Sequence, residues 1–353
     1  MSDVDDLVRD TAQRIFADLG APQAIILAGD DSWQAPLWSA LEEAGLHHAW
    51  LPEEFGGAGL SVADTFTILQ VAGGYAVAVP LAETLLGGWA LARAGLTPPP
   101  GRLSVAPVRP GDRLMIDDDG RLSGSVHGVP FAREADHLVV LAEDDAGDRG
   151  VACIAREAAE IDAVDGIAGE PRDSVRFDDV EPSQAAASEI DVGDLCRLGA
   201  AMRAMQMAGA MQAVLDMAVT YARERIAFGR PIGRFQAVQH LLARLAEETA
   251  AAQAAASSAA HAIETLPSDD VGVFVEVASA KVRAGEAAGE AAMIGHQVHG
   301  AIGFTDEHVL HRYVQRLWSW RDDFGSEAEW AQGLGRFFAG QDGADFWPTI
   351  TAI

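Results

Sequence analysis

Four long alanine-rich stretches, at about 190–224, 233–265, 269–299 and 307–320, commit the second half of this chain to a bundle of helices. Alanine is the best helix former, and its small side chain lets neighbouring helices approach closely. The extreme case, AAAQAAASSAAHA at 250–262, reads as a bundle helix, with a disordered linker as the less favoured alternative. The first hundred residues also read as helical. Apolar residues recur every three or four positions from Leu7 to Leu19, Leu37 to Leu46 and Ala63 to Val77. Between the last two lies LPEEFGGAGLS at 51–61, a turn-rich loop in which Ser61 is the N-cap candidate for a helix starting near Val62.

The pattern changes between 101 and 188. Short alternating runs such as LSGSVHGVPF, HLVVLA and GVACIA are separated by Asp/Gly clusters, the mark of a small antiparallel β domain. The predicted fold is therefore mainly α with a central β domain. An N-terminal helical domain occupies 1–100, an antiparallel β domain 101–188 and a C-terminal four-helix bundle 189–353.

Composition narrows the function. Hydrophobic residues make up 49% and charged residues 22%, and no eighteen-residue apolar run is free of charge or Gly/Pro punctuation, so no membrane span is expected. The start, MSDVDDLVRD, lacks a basic and apolar leader, which predicts a cytoplasmic location. A formal charge of −28 would repel a phosphate backbone, which argues against a nucleic-acid partner. Cys153 and Cys196 have neither CxxC nor Cys/His spacing, so buried free thiols are expected and no metal site. Lys281 is the only lysine; every other basic side chain is arginine.

YARERIAFGRPIGRFQAVQHLLARLAEE at 221–248 reads as a helix end with basic residues set against its dipole, a Gly-Pro turn and a second helix. In so acidic a chain Arg223, Arg225, Arg230 and Arg234 also form an anion-binding candidate. This segment resembles the arginine and Phe-Gly turn of the acyl-CoA dehydrogenase family. HQVHGAIGFTDEHVLHRYVQR at 296–316 resembles that family's Gln and glycine-turn segment, and LEEAGLHHAWLPEEFGGAGLS at 41–61 its N-terminal helical lobe. The three segments occur in family order, so the resemblance spans essentially the whole chain. It implies an acyl-CoA dehydrogenase-like fold and FAD as cofactor. It further implies that Arg225, Phe228 and Gln236, with Gln297 and Gly300, touch the adenosine diphosphate part of a flavin held mainly by a neighbouring subunit. The second glycine of the family's turn is Ala301 here, which weakens close backbone approach at that point.

The family's reaction needs a carboxylate to take the α-proton while a hydride passes to the flavin. The resemblance places that base at Phe324, in RDDFGSEAEW. The family's other base position, on the helix before the arginine motif, falls on Gly199 or Ala200, and neither accepts a proton. Asp322, Asp323 and Glu327 are nearby, yet a one-residue shift rotates a side chain by about 100° and removes its reach. The β domain departs in parallel: LSVAPVRPGDRL and GSVHGVPFAREADHLVV stand where flavin-ring and acyl-CoA motifs belong, and His127 and His137 have no acid–base spacing.

What is lost serves a subunit's own flavin ring, substrate and proton; what is kept is offered across an interface. That sorting resembles the non-catalytic subunit of heteromeric (α2β2) actinobacterial steroid acyl-CoA dehydrogenases. The expectation is a chain without a base of its own that completes the FAD site of a paralogous subunit carrying the catalytic glutamate. The assembly, a heterotetramer, would desaturate a bulky, steroid side-chain acyl-CoA, with an electron-transfer flavoprotein as a possible partner. Two alternatives stay open at this point. One is a homomeric flavoenzyme whose base has moved to Asp323 or Glu327; the other is a non-enzymatic scaffold of the same fold.

Overall fold

The computed structural model describes residues 3–109, 111–341, 343–344 and 346–351, the side chains of 3–5 excepted. The N-terminal helices are α1 (Asp3–Leu19), α2 (Pro22–Ala28), α3 (Gln34–Glu43), α4 (Val62–Tyr75) and α5 (Leu81–Arg93). Ser61 caps α4 as its position predicts, its hydroxyl accepting the Asp64 amide at 3.0 Å. The strands follow as β1 (Leu103–Ala106), β2 (Arg113–Ile116), β3 (Leu122–Pro130), β4 (His137–Glu143), β5 (Arg149–Ala155), β6 (Glu160–Asp162), β7 (Arg172–Val180) and β8 (Gln184–Ala187). The C-terminal helices are α6 (Val192–Glu224), α7 (Gln236–Thr265), α8 (Val271–His299), α9 (Leu310–Asp322), α10 (Glu327–Ala339) and α11 (Phe346–Thr351). The two-residue strands β9 (Ile226–Ala227) and β10 (Arg230–Pro231) lie between α6 and α7. The chain is thus mainly helical around a central β region, and the stretch at 250–262 lies wholly within α7.

By packing, the chain divides into two units. One comprises residues 38–65 and 78–199, the other 1–37, 66–77 and 200–353. In the first, the sheet runs β6-β7-β3-β2-β4-β5-β8, with β1 paired to β4 off that path. Most pairs are antiparallel as the alternation predicts. The β1–β4 and β2–β4 pairs are parallel, a non-local pairing that alternation along one strand does not encode. Leu122, Val126, Leu138, Ile154 and Phe177 fill the sheet's core. Helix α5 lies against β1, where the Leu103 amide donates to the Thr84 hydroxyl at 3.0 Å. Gly87 of α5 lets the helix approach: a Cβ there would stand 3.2 Å from Val139 and 3.3 Å from Leu103. Cys153 and Cys196 are buried and are not joined in a disulfide.

In the second unit, α4 and α6 cross at backbone contact. A Cβ on Gly73 would fall 2.1 Å from the Gln206 carbonyl oxygen, and one on Gly209 would fall 1.9 Å from that of Gln70. Helices α7 and α8 form an antiparallel hairpin of nearly equal arms, 30 and 29 residues. Alanines 252, 256, 259 and 260 of α7 and 280, 284, 287 and 288 of α8 are buried, so the close packing read from the sequence is realised. The Asp270 carboxylate caps α8 by accepting the Gly272 amide at 2.7 Å. Among the described residues no helix is long and apolar enough to cross a membrane.

Candidate functional site

Two places in the second unit hold the residues singled out by sequence. The first is the end of the α7–α8 hairpin. Ion pairs Arg244–Glu290 (2.9 Å) and Arg283–Glu248 set an antiparallel register. Continued about two helical turns, that register brings Gln236, at the start of α7, level with Gln297 near the end of α8. The fold therefore gathers the two predicted segments at one end of the bundle, although they are some sixty residues apart in sequence.

The arginine segment is a tight hairpin. Ile226 pairs with Pro231 and Ala227 with Arg230, and the Ile232 amide donates to the Arg225 carbonyl at 2.9 Å. Phe228 and Gly229 form its tip with φ of +50° and +76°, the geometry of a turn that favours Asn-Gly. A phenylalanine gains nothing from such a backbone, yet the Phe228 side chain is 95% exposed. Phe235 steadies the hairpin: the Arg230 guanidinium lies 4.2 Å above its ring, and the Phe228 ring meets it edge-on at 6.1 Å. Arg223, Arg225, Arg230 and Arg234 are all exposed, and none forms a salt bridge among the described residues. In a chain of net charge −28 this is an unneutralised cationic surface.

The glycine segment completes this end. Gln297 is exposed on the last turn of α8, and Gly300 follows with φ +64° and ψ −142°, a conformation open in practice only to glycine. Ala301 is exposed in the short 3₁₀ turn Gly300–Phe304. Gly300, Gln297, Gln236 and the arginines offer backbone approach, amide groups and fixed cationic donors, a set that fits a dinucleotide's pyrophosphate and adenosine.

The second place is the turn between α9 and α10. Phe324 is 4% exposed with φ +55°, followed by Gly325 at φ +96°. Its carbonyl accepts the Trp330 indole N–H at 3.0 Å. The Arg203 guanidinium of α6 lies 5.7 Å over the Phe324 ring and 5.9 Å over Trp320. The same guanidinium donates to the Asp323 carboxylate at 2.8 Å and to Gln206 Oε1 at 2.6 Å. The Lys281 ammonium closes the end of α9, donating to the carbonyls of Trp320 (2.9 Å), Arg321 (3.0 Å) and Asp323 (2.7 Å). Complete burial pulls Lys281 down to about 7, against the opposing attraction of Asp323.

Glu327 is bound by Arg321. Burial, the largest single effect, raises its proton affinity, but the Arg321 hydrogen bond, a backbone hydrogen bond and the charges of Arg321 and Lys281 together outweigh it and hold the carboxyl below the usual carboxylate range. Ser326 and Glu329 form a capping box that starts α10.

Sequence reasoning missed Arg203, Gln206 and Lys281. Their signal was a polar pair one helical turn apart within the apolar run GAAMRAMQMAGAM, and the single lysine of the chain. His127 pairs with Asp112 at the surface of the other unit and belongs to neither place; Asp322 is exposed at the end of α9, where its charge acts on Lys281. No cluster of metal-ligating side chains occurs among the described residues.

Comparison with known proteins bears on the whole chain. The family pattern "Acyl-CoA dehydrogenase, N-terminal domain" matches residues 2–97, and "Acyl-CoA dehydrogenase, C-terminal domain" matches 196–321. Acyl-CoA dehydrogenase IpdE2 of Mycobacterium tuberculosis is 31% identical over 313 residues, covering 88% of this chain and 89% of its own length. Among solved structures, the ChsE4-ChsE5 complex from Mycobacterium tuberculosis superposes with a TM-score of 0.87 at 24% identity, over 97% of this chain and 99% of that one. A variant of the Tcur3481-Tcur3483 steroid ACAD superposes with a TM-score of 0.84 at 26% identity, over 95% and 97%.

Proposed function

Because the chain belongs to the acyl-CoA dehydrogenase family, whose cofactor is FAD, we propose that it is the non-catalytic subunit of a heteromeric acyl-CoA dehydrogenase. It lends Arg225, Phe228, Gln236, Gln297 and Gly300 to the FAD site of a paralogous subunit that supplies the catalytic glutamate. When bound, FAD accepts the hydride released as the acyl-CoA is desaturated. This chain's residues bind and orient. The arginines offer permanent charge and directed N–H donors to the pyrophosphate, the two glutamines hydrogen-bond polar atoms of the adenosine side, and Phe228 presents an apolar face at the hairpin tip.

One contrast carries the reading. Phe228 and the four arginines are exposed and, among the described residues, the arginines form no salt bridge, whereas the position of the usual base holds a buried phenylalanine beneath a buried arginine. The relocated-base alternative loses support on the same ground. Asp323 is held by Arg203 and Glu327 by Arg321, and a carboxylate so paired is a poor proton acceptor. The bulky steroid side-chain substrate is proposed from the relatives, which include a steroid ACAD among solved neighbours. An electron-transfer flavoprotein is the proposed electron acceptor.

Co-expression with the paralogous subunit tests the reading. The complex should carry flavin and oxidise acyl-CoA, and the chain alone should do neither. Stoichiometric FAD and unaided acyl-CoA oxidation by the isolated chain would overturn it.

A further inference from the structure

The hairpin and the glycine turn are joined by one buried side chain, His299. Its ring packs on Tyr221 with centroids 4.7 Å apart. Tyr221 stands on the last turn of α6, and its carbonyl accepts the Arg225 amide at 2.8 Å, so it sits at the root of the arginine hairpin. His299 is 3% exposed and directly precedes Gly300. Its Nδ1 lies 2.8 Å from the Gly295 carbonyl, an acceptor, so that nitrogen carries the proton. Nε2 is the bare nitrogen, buried without a hydrogen-bond partner. The geometry thus describes a neutral ring.

A second aromatic ring also meets His299. His308 lies 4.8 Å from His299. Its own Nδ1 accepts the amide of Leu310, the first residue of α9, at 3.1 Å, so that nitrogen cannot take a proton without giving up that hydrogen bond. His296, one turn back on α8, stacks on Phe304 of the glycine turn at 4.0 Å and 11°. Gly303 is wedged against both: a Cβ there would stand 3.1 Å from His299 Cβ and 3.4 Å from His296 Nδ1.

We propose that His299 is a positioning residue that locks the arginine hairpin to the glycine turn, so that this chain's flavin-contacting groups act as one body only while its ring is neutral. This rests on the flavin reading above for its functional consequence, though not for the mechanical joint itself.

A proton on Nε2 has nowhere favourable to go. The groups facing the His299 ring are Tyr221 from α6, His296 from α8 and His308 from the loop, and His308 in turn faces His311 at the start of α9. The nearest carboxylates in sequence, Asp306 and Glu307 of the loop and Glu224 of α6, are exposed to solvent. Burial, and then the neighbouring histidines, hold His299 and His308 below the ordinary imidazole range. The opened state is protonated near pH 6.5, before the locked state is. The locked arrangement is therefore fully favoured above that pH and loses stability as pH falls through it.

Hydrogen exchange on the full-length chain tests the joint, with rates corrected for intrinsic pH dependence and referred to amides in the middle of α7. From about pH 8 to about pH 5.5, which lies about one unit below the opened state's titration, amides of 225–232 and 300–304 should lose protection together, by up to about ten-fold. His299→Phe keeps the ring contact and removes the titration, so protection should persist at the lower pH. Tyr221→Leu should loosen both segments already at the higher pH. Independent loosening of the two segments in Tyr221→Leu, or the same acid response in His299→Phe as in the natural chain, overturns the joint.

The FAD retained by the complex, measured by absorbance after gel filtration at the same pH values, separates the joint from the reading beneath it. Flavin lost in parallel with protection supports both. Flavin retained while protection falls overturns the flavin role of these residues and leaves the joint standing.

Discussion

Nε of Arg203 on α6 donates to the carboxylate of Asp323, at the end of α9, across 2.8 Å, and the two side chains are only 2% and 11% exposed. This pair, with the Lys281 ammonium on the Asp323 carbonyl, surrounds Phe324, the position at which we propose the family's base is missing. A buried pair is costly to break because the remaining partner is left charged and unsolvated. Arg203→Met and Asp323→Asn should each cost about 3–5 kcal/mol of unfolding free energy, and the double variant less than their sum. Urea titration monitored by tryptophan fluorescence checks this. Losses below about 1 kcal/mol would mean that the pair is solvated in solution.

Lys281 gives a pH dependence of known sign. Its folded value of about 7 lies below the ordinary lysine range, so between the two the unfolded chain holds the extra proton. Stability should therefore rise from about pH 7 toward pH 10, and this rise should disappear in Lys281→Met. Losing three carbonyl contacts also costs that variant roughly 1–3 kcal/mol at neutral pH. Thermal melts across the range read both effects.

His48 titrates on the acid side. Burial, and then neighbouring His47, bring it down to about 4, and the two rings stack at 4.1 Å. The unfolded chain is protonated first, so stability is full above about pH 6.5 and is lost as pH falls toward 4. The loss should be of order 2–3 kcal/mol at about pH 4 and should shrink in His48→Phe. Equal acid sensitivity in the two proteins would place the titration elsewhere.

The alanine runs made α6 to α9 legible because propensity and packing agree there. Helix α10 was not predicted, since two interior glycines in EAEWAQGLGRFFA depress its propensity. Its capping box, Ser326 to Glu329, was nonetheless readable in SEAE. The seven-residue α2 is too short for periodicity to register, and the parallel β1–β4 pairing depends on contacts no local pattern carries. The arginine and glycine segments were recognisable from their residues. That they share one end of the bundle follows only from the α7–α8 register, and the Tyr221–His299 contact only from the fold.

The crossing of α4 and α6 has no room for a methyl group at Gly73 or Gly209. Backbone, rather than a flexible side chain, meets the added Cβ, so Gly73→Ala and Gly209→Ala should each destabilise by about 1–3 kcal/mol despite alanine's better helix propensity. Gly335→Ala, whose Cβ meets nothing within 4 Å, is the control and should be neutral or stabilising.

Installing the family's carboxylate should not install its reaction. In Phe324→Glu the new group would enter a buried turn at positive φ, lose the aromatic face beneath Arg203, and compete with Asp323 for that one guanidinium. Two carboxylates on one arginine either share a proton or force the turn open, and the winner of the pairing is too weak a base for α-proton abstraction. The variant should lose about 2–4 kcal/mol of stability and remain inactive on acyl-CoA when alone. Adding Asp323→Asn should recover part of the stability and still leave the chain inactive. The measurement is anaerobic flavin bleaching on adding acyl-CoA to the purified, FAD-supplemented variant; bleaching by either protein would show that this chain holds a complete substrate pocket of its own.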